Sequence, residues 1–97
     1  MEIRAFQKLI DEMYSDKDRR RGTAGTFLWL VEEIGELASA LGEGTKAERA
    51  EELADVFAWL VTIANVEDID LQDAVAGKYG RGCPTCGKMV CTCEDKP

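Results

Sequence analysis

Residues 29–41 read WLVEEIGELASAL, and residues 51–64 read EELADVFAWLVTIA. Both repeat apolar residues three and four apart, the period of an α-helix rather than of a strand. Each also carries two acids three residues apart, Glu33 with Glu36 and Glu52 with Asp55. At about 100° per residue such a pair lies about 60° apart, on one side of the helix. Leu30, Leu37 and Leu41, with Trp29 and Ala40, neighbour the first pair. Val56, Trp59 and Ile63 neighbour the second. The acids therefore border the apolar stripes, where a carboxylate is costly unless water or a cation meets it. If the two helices form an antiparallel hairpin across the short turn at 42–45, four carboxylates converge.

A solvated face held by local ion pairs is the competing reading. The residues four positions beyond Glu33, Glu36, Glu52 and Asp55 are Leu37, Ala40, Val56 and Trp59, and none is basic. Arg49, three before Glu52, is the one local partner, in the weaker orientation. Two carboxylates about 4 Å apart repel by roughly 4 kcal/mol at an effective dielectric near 20. A few such repulsions rival the whole stability of a small domain, about 5–15 kcal/mol. A cation among the acids resolves the conflict, and an all-oxygen donor set suits Mg²⁺ or Mn²⁺. Glu48 is accounted for by helix capping, Glu43 by the turn and Glu51 by solvent. Glu32 is placed equally well as an outer or second-metal ligand and as a surface residue.

The remaining elements follow from the same period. A first helix is expected over about 2–14, with Ile3, Phe6, Ile10 and Met13 on one face. SDKDRRRGTAG, residues 15–25, is too charged and glycine-rich for a core element and reads as a polar connection. The second helix spans about 26–41, and the third opens on a Thr45/Glu48 capping box and runs to about Asn65. A short fourth begins at Asp70 and ends near Gly80. No strand alternation or hairpin dipeptide is present, so the expected fold is all-α, an antiparallel bundle of about four helices. Residues 1–80 form the helical domain and 81–97 a Cys-rich tail.

With 97 residues the chain makes one small domain. A domain this size buries only about 60–65% of its unfolded surface, a deficit that a partner subunit or a metal staple makes up. Its 45% hydrophobic and 32% charged content is that of a globular protein. A net charge of −7 argues against a nucleic-acid polymer as partner, because backbone binding needs Lys and Arg. It leaves room for a phosphorylated small molecule bridged by a divalent cation. No segment has membrane-spanning length and the N-terminus has no signal-peptide pattern, so a cytoplasmic location is expected.

Glu32-Glu33-Ile34-Gly35-Glu36, then fifteen residues, then Glu52-Leu53-Ala54-Asp55 resembles the EExxE…ExxD signature of MazG-like nucleotide pyrophosphohydrolases. The likeness spans about Phe6 to Arg81. It implies that Glu33, Glu36, Glu52 and Asp55 hold Mg²⁺ with Glu32 assisting. It further implies that a nucleoside triphosphate is cleaved between its α- and β-phosphates to a monophosphate and pyrophosphate. By the same resemblance Trp59 lies near the base, and Lys78, with Arg81, reaches phosphates. The basic cluster Lys17, Arg19, Arg20 and Arg21 would adjoin the site, and subunits would pair into a homodimer or a tetramer. The loop lacks the Trp-Asp…Gln-Thr text of longer MazG proteins, so no base preference carries over. Phosphoribosyl-ATP hydrolysis is the alternative within the fold; outside it stands a non-catalytic helical adaptor with a zinc-binding tail.

The tail, CPTCGKMVCTC, lies outside that resemblance. Cys83-Pro84-Thr85-Cys86-Gly87 has the form of a zinc knuckle, with two thiolates wrapped onto one ion and glycine permitting the turn. Cys91-Thr92-Cys93 is tighter, and only four residues separate the halves. Structural Zn²⁺ is the preferred reading, although one ion on all four cysteines is cramped at this spacing. A site shared between subunits, an iron–sulfur cluster and redox-active thiols are its alternatives.

Overall fold

Gly22 decides the path of the first helix. In the computed structural model, which describes residues 1–95, helix α1 (Ile3–Glu43) continues through the stretch expected to be a connection. Its one non-helical residue is Gly22, at φ 78° and ψ 177°. That region of backbone space is open essentially to glycine alone. The charged run is thus helical up to Arg21, and a single residue replaces the expected loop. Gly25 does a second job beside the break: a Cβ there would stand 2.8 Å from Cγ of Arg21, so glycine makes room for that side chain.

Helix α2 (Lys46–Val66) returns antiparallel along α1 after a turn of two residues, and α3 (Leu71–Tyr79) closes the set. The described residues thus form three helices and no strand, an all-α fold. The Thr45/Glu48 capping box is present in both directions, at 3.0 Å and 3.2 Å. Asp70 caps α3 by accepting from the Asp73 amide. Arg49, the candidate partner for the acids, donates to the Ala40 carbonyl at the end of α1 instead (3.1 Å). Arg49 therefore satisfies a backbone oxygen that a helix C-terminus leaves open, and no charge reaches Glu52.

The core is thin. Ile10, Leu30, Ala40, Val61 and Ala64 are its buried apolar residues. Phe6 stacks on Phe57 beside them. Polar ties close the open end of the hairpin. Arg4 bonds Asp70 and Asp73, Gln7 bonds both Ile69 and Leu71 through its amide, and Asn65 donates to the Gln7 carbonyl. Leu41, grouped above with the acid-bearing face, is exposed. Together with Phe27, Val31 and Ile34 it forms a second, uncovered stripe at helical spacing. No helix of the described residues is long and apolar enough to cross a membrane.

Candidate active site

The hairpin brings the acids together. Glu33 and Glu36 from α1 and Glu52 from α2 each place one carboxylate oxygen so that all three lie within 4.8 Å of one another. Oε2 of Glu33 and Oε2 of Glu52 are shut off from water with no hydrogen-bond partner. No basic side chain forms an ion pair with Glu33, Glu36, Glu52 or Asp55 among the described residues. Burial raises the pKa of Glu33, and the charges of Glu36, Asp55, Glu52 and Glu32 raise it further. Burial likewise raises that of Glu52, followed by Glu36, Asp55 and Glu51, against a smaller lowering by a side-chain hydrogen bond with Glu33. Asp55 thus acts on both half-buried acids, although it is exposed and outside the tight trio. Glu32 is exposed and enters only as the weakest charge on Glu33.

Asp55 also joins this cluster to a cavity of about 750 Å³. Trp29 and Trp59 line it with their rings stacked, centroids 6.0 Å apart and 11° from parallel. The Arg21 guanidinium stands 4.9 Å from the Trp59 ring centroid. Lys17, Arg20 and Arg21 of the basic cluster line the cavity, whereas Arg19 turns to Asp11 and Asp68. The cavity lining thus holds three cations together with Asp18 and with Asp55 of the acidic cluster. Lys78 and Arg81 are exposed and line no part of it; Lys78 lies over the ring of Tyr79.

Asp18 is the residue that pattern reading missed. It is 4% exposed and lines the cavity. Its Oδ1 accepts from Arg21 at 3.2 Å while Oδ2 has no partner. Burial pushes its pKa up against the pull of Arg21. Arg21 is held in turn by Thr26, whose hydroxyl accepts from Nη1 and donates to the Gly22 carbonyl. The break at Gly22 thus fixes the cavity's guanidinium. A signal existed in the sequence: Asp18 and Arg21 are three apart, and Gly22 follows them.

The sequence that builds this site matches a known family. The family model of the MazG nucleotide pyrophosphohydrolase domain matches residues 21–87, more than half of the chain. The chain belongs to the MazG family. The match begins at the helix break, covers both acidic pairs and Trp59, and runs into the first Cys-x-x-Cys of the tail. Comparison with curated proteins gives no match. An all-carboxylate donor set with two orphaned buried oxygens fits the hard divalent cation expected of a MazG domain.

The four cysteines form a second cluster. Their sulfurs lie within 4.8 Å of one another, and all four thiols are free. The Thr92 and Lys88 amides lower Cys86 to about 6, and the Cys86 and Thr85 amides lower Cys83. Cys93, hydrogen-bonded to Cys91 and partly buried, is pushed up to about 11.

Proposed function

We propose that this MazG protein is a Mg²⁺-dependent nucleoside triphosphate pyrophosphohydrolase that converts a (d)NTP to the (d)NMP and pyrophosphate. The observation that carries the reading is the convergence of Glu33, Glu36 and Glu52, without a counter-charge, beside an aromatic and basic cavity. Glu33, Glu36, Glu52 and Asp55 would hold Mg²⁺ or Mn²⁺, with Glu32 in support. The cation, when bound, neutralises phosphate oxygens and lowers the pKa of a water. A carboxylate oxygen left free of the cation orients the attacking water. The new bond runs from water oxygen to the α-phosphorus, the α–β bridging bond breaks, and pyrophosphate leaves in line.

Trp29 and Trp59 offer the base a stacking surface. Their 6.0 Å separation is less than the roughly 7 Å that an inserted ring needs, so the base packs against the pair and not between its rings. Oδ2 of Asp18 accepts a hydrogen bond from a donor on the base. Lys17, Arg20 and Arg21 face the phosphates, and Lys78 and Arg81 come to the site only by movement or from a second copy. Subunits pair as a homodimer through the exposed apolar stripes, in the cytoplasm.

The test is pyrophosphate release from a panel of ribo- and deoxyribonucleoside triphosphates with Mg²⁺. Glu36→Gln should lower turnover by about a hundredfold or more, as expected for loss of a group acting on the transition state. Absence of pyrophosphate from every nucleotide, or unchanged turnover in Glu36→Gln, would sink the assignment. Hydrolysis of phosphoribosyl-ATP alone would replace the substrate.

A further inference from the structure

Eleven residues beyond α3, from Cys83 to Cys93, fold around sulfur and little else. The large apolar residues of this segment, Met89 and Val90, are 81% and 82% exposed, while Cys83, Cys86 and Cys93 turn inward. A loop with its apolar side chains in water, three half-buried thiols and a fourth, Cys91, exposed has no hydrophobic reason to be closed. Its backbone is nevertheless closed. The Gly87 amide donates to the Cys83 carbonyl at 2.7 Å, and the Cys83 amide to the Lys88 carbonyl at 2.9 Å. Gly87 has φ +74°, and a Cβ on Gly82 (φ +109°) would stand 2.8 Å from the Lys88 oxygen. Both glycines are therefore required for the turn that presents the first two sulfurs.

We infer that Cys83, Cys86, Cys91 and Cys93 of one chain bind a single Zn²⁺ as a closed, structural tetrathiolate site. Zn–S bonds of about 2.3 Å arranged tetrahedrally set the sulfurs about 3.8 Å apart. The four sulfurs here, all within 4.8 Å of one another, need to contract only slightly. A polynuclear iron–sulfur cluster spreads its thiolates over several irons and needs a wider cage. The short Cys91-Thr92-Cys93 half reaches the ion because its backbone folds back on itself: the Cys93 amide donates to the Cys91 sulfur at 3.3 Å. With four protein ligands no position is left for water, so the site is a staple and not a catalyst. It ties down the chain directly after α3, beginning four residues beyond the end of that helix.

The experiment is metal analysis of the full chain purified under reducing conditions. About one zinc per chain is expected. Glu33→Gln/Glu52→Gln should keep it, whereas Cys86→Ser and Cys93→Ser should each lose most of it, since loss of a ligand opens the site. Chelator-stripped wild type titrated with Co²⁺ should show thiolate-to-cobalt charge transfer and tetrahedral d–d absorption saturating at one equivalent. That titration reads the site even if a serine variant misfolds. Iron in place of zinc, half an equivalent per chain, no metal, or zinc lost with the glutamates and kept by the serine variants would each overturn the inference. None of these readouts depends on nucleotide hydrolysis, so failure here and failure of the enzymatic reading are separable.

Discussion

Oε2 of Glu52 is buried without a partner, and its nearest charged neighbours are acids. A carboxyl whose folded pKa is raised adds stability below the ordinary value of 4.5 and loses it as pH climbs through the folded pKa. At neutral pH without metal, Glu52 is thus a liability to the fold. Glu52→Gln in a chelator should therefore melt above wild type near neutrality, with the gap closing as pH falls toward 4.5. Excess Mg²⁺ should reverse the order. Free cation a hundredfold above its Kd stabilises the binding-competent protein by about 2.7 kcal/mol, and the variant forgoes much of that. Thermal unfolding followed by circular dichroism across pH, with and without Mg²⁺, measures both. A variant that melts below wild type in the chelator would mean that the chain itself compensates the carboxylate. This cluster was legible in the sequence because unpaired acids on an apolar stripe need a reason. Asp18 had only the local signal of its spacing to Arg21 and Gly22, because an acid in a run of seven polar residues carries no period of its own.

At the scale of elements, composition misled over the charged run. SDKDRRR reads as solvated loop, yet Lys, Arg and Asp are tolerated in a helix whose other face is covered. The structure keeps that face by burying Asp18 while Arg19 and Arg20 stay exposed. The capping box, the turn after Glu43 and the start of α3 were legible because each rests on local hydrogen bonds written into adjacent residues. The ties of Arg4 and Gln7 to residues 69–73 were not, since they join segments more than sixty residues apart. Gly22 carries the break, so Gly22→Ala must place a Cβ at φ 78°. The cost is about 1–3 kcal/mol, and each kcal/mol lowers Tm by about 4–8 °C in a domain of this size. The same strain displaces Arg21 and the Thr26 bond, so nucleotide KM should rise in parallel. An alanine variant with wild-type melting and KM would show that the break is not needed to place Arg21.

The whole molecule exposes more than a monomer of its mass should. Its accessible surface is 7101 Å², where a compact protein of 10.7 kDa shows about 5,500 Å². Its radius of gyration is 15.6 Å, against about 12.5 Å for a compact chain of this length. Some of that excess is apolar and ordered. Phe27, Val31, Ile34 and Leu41 form one exposed stripe on α1, and Leu53, Phe57 and Leu60 form another on α2. A stable interface takes about 800 Å² from each partner, and the excess surface is ample for it. Val31→Glu/Ile34→Glu places two charges on the α1 stripe and leaves Glu33, Glu36 and the cavity side of the helix untouched. Sedimentation analysis should give a dimer for wild type and a monomer, or a species that melts much lower, for the double variant. A wild-type chain that sediments as a monomer at micromolar concentration would leave these stripes without a second copy to cover them. It would equally leave Lys78 and Arg81 no route to the acids from a neighbouring subunit, so that their charge could serve the reaction only by movement of α3 within one chain.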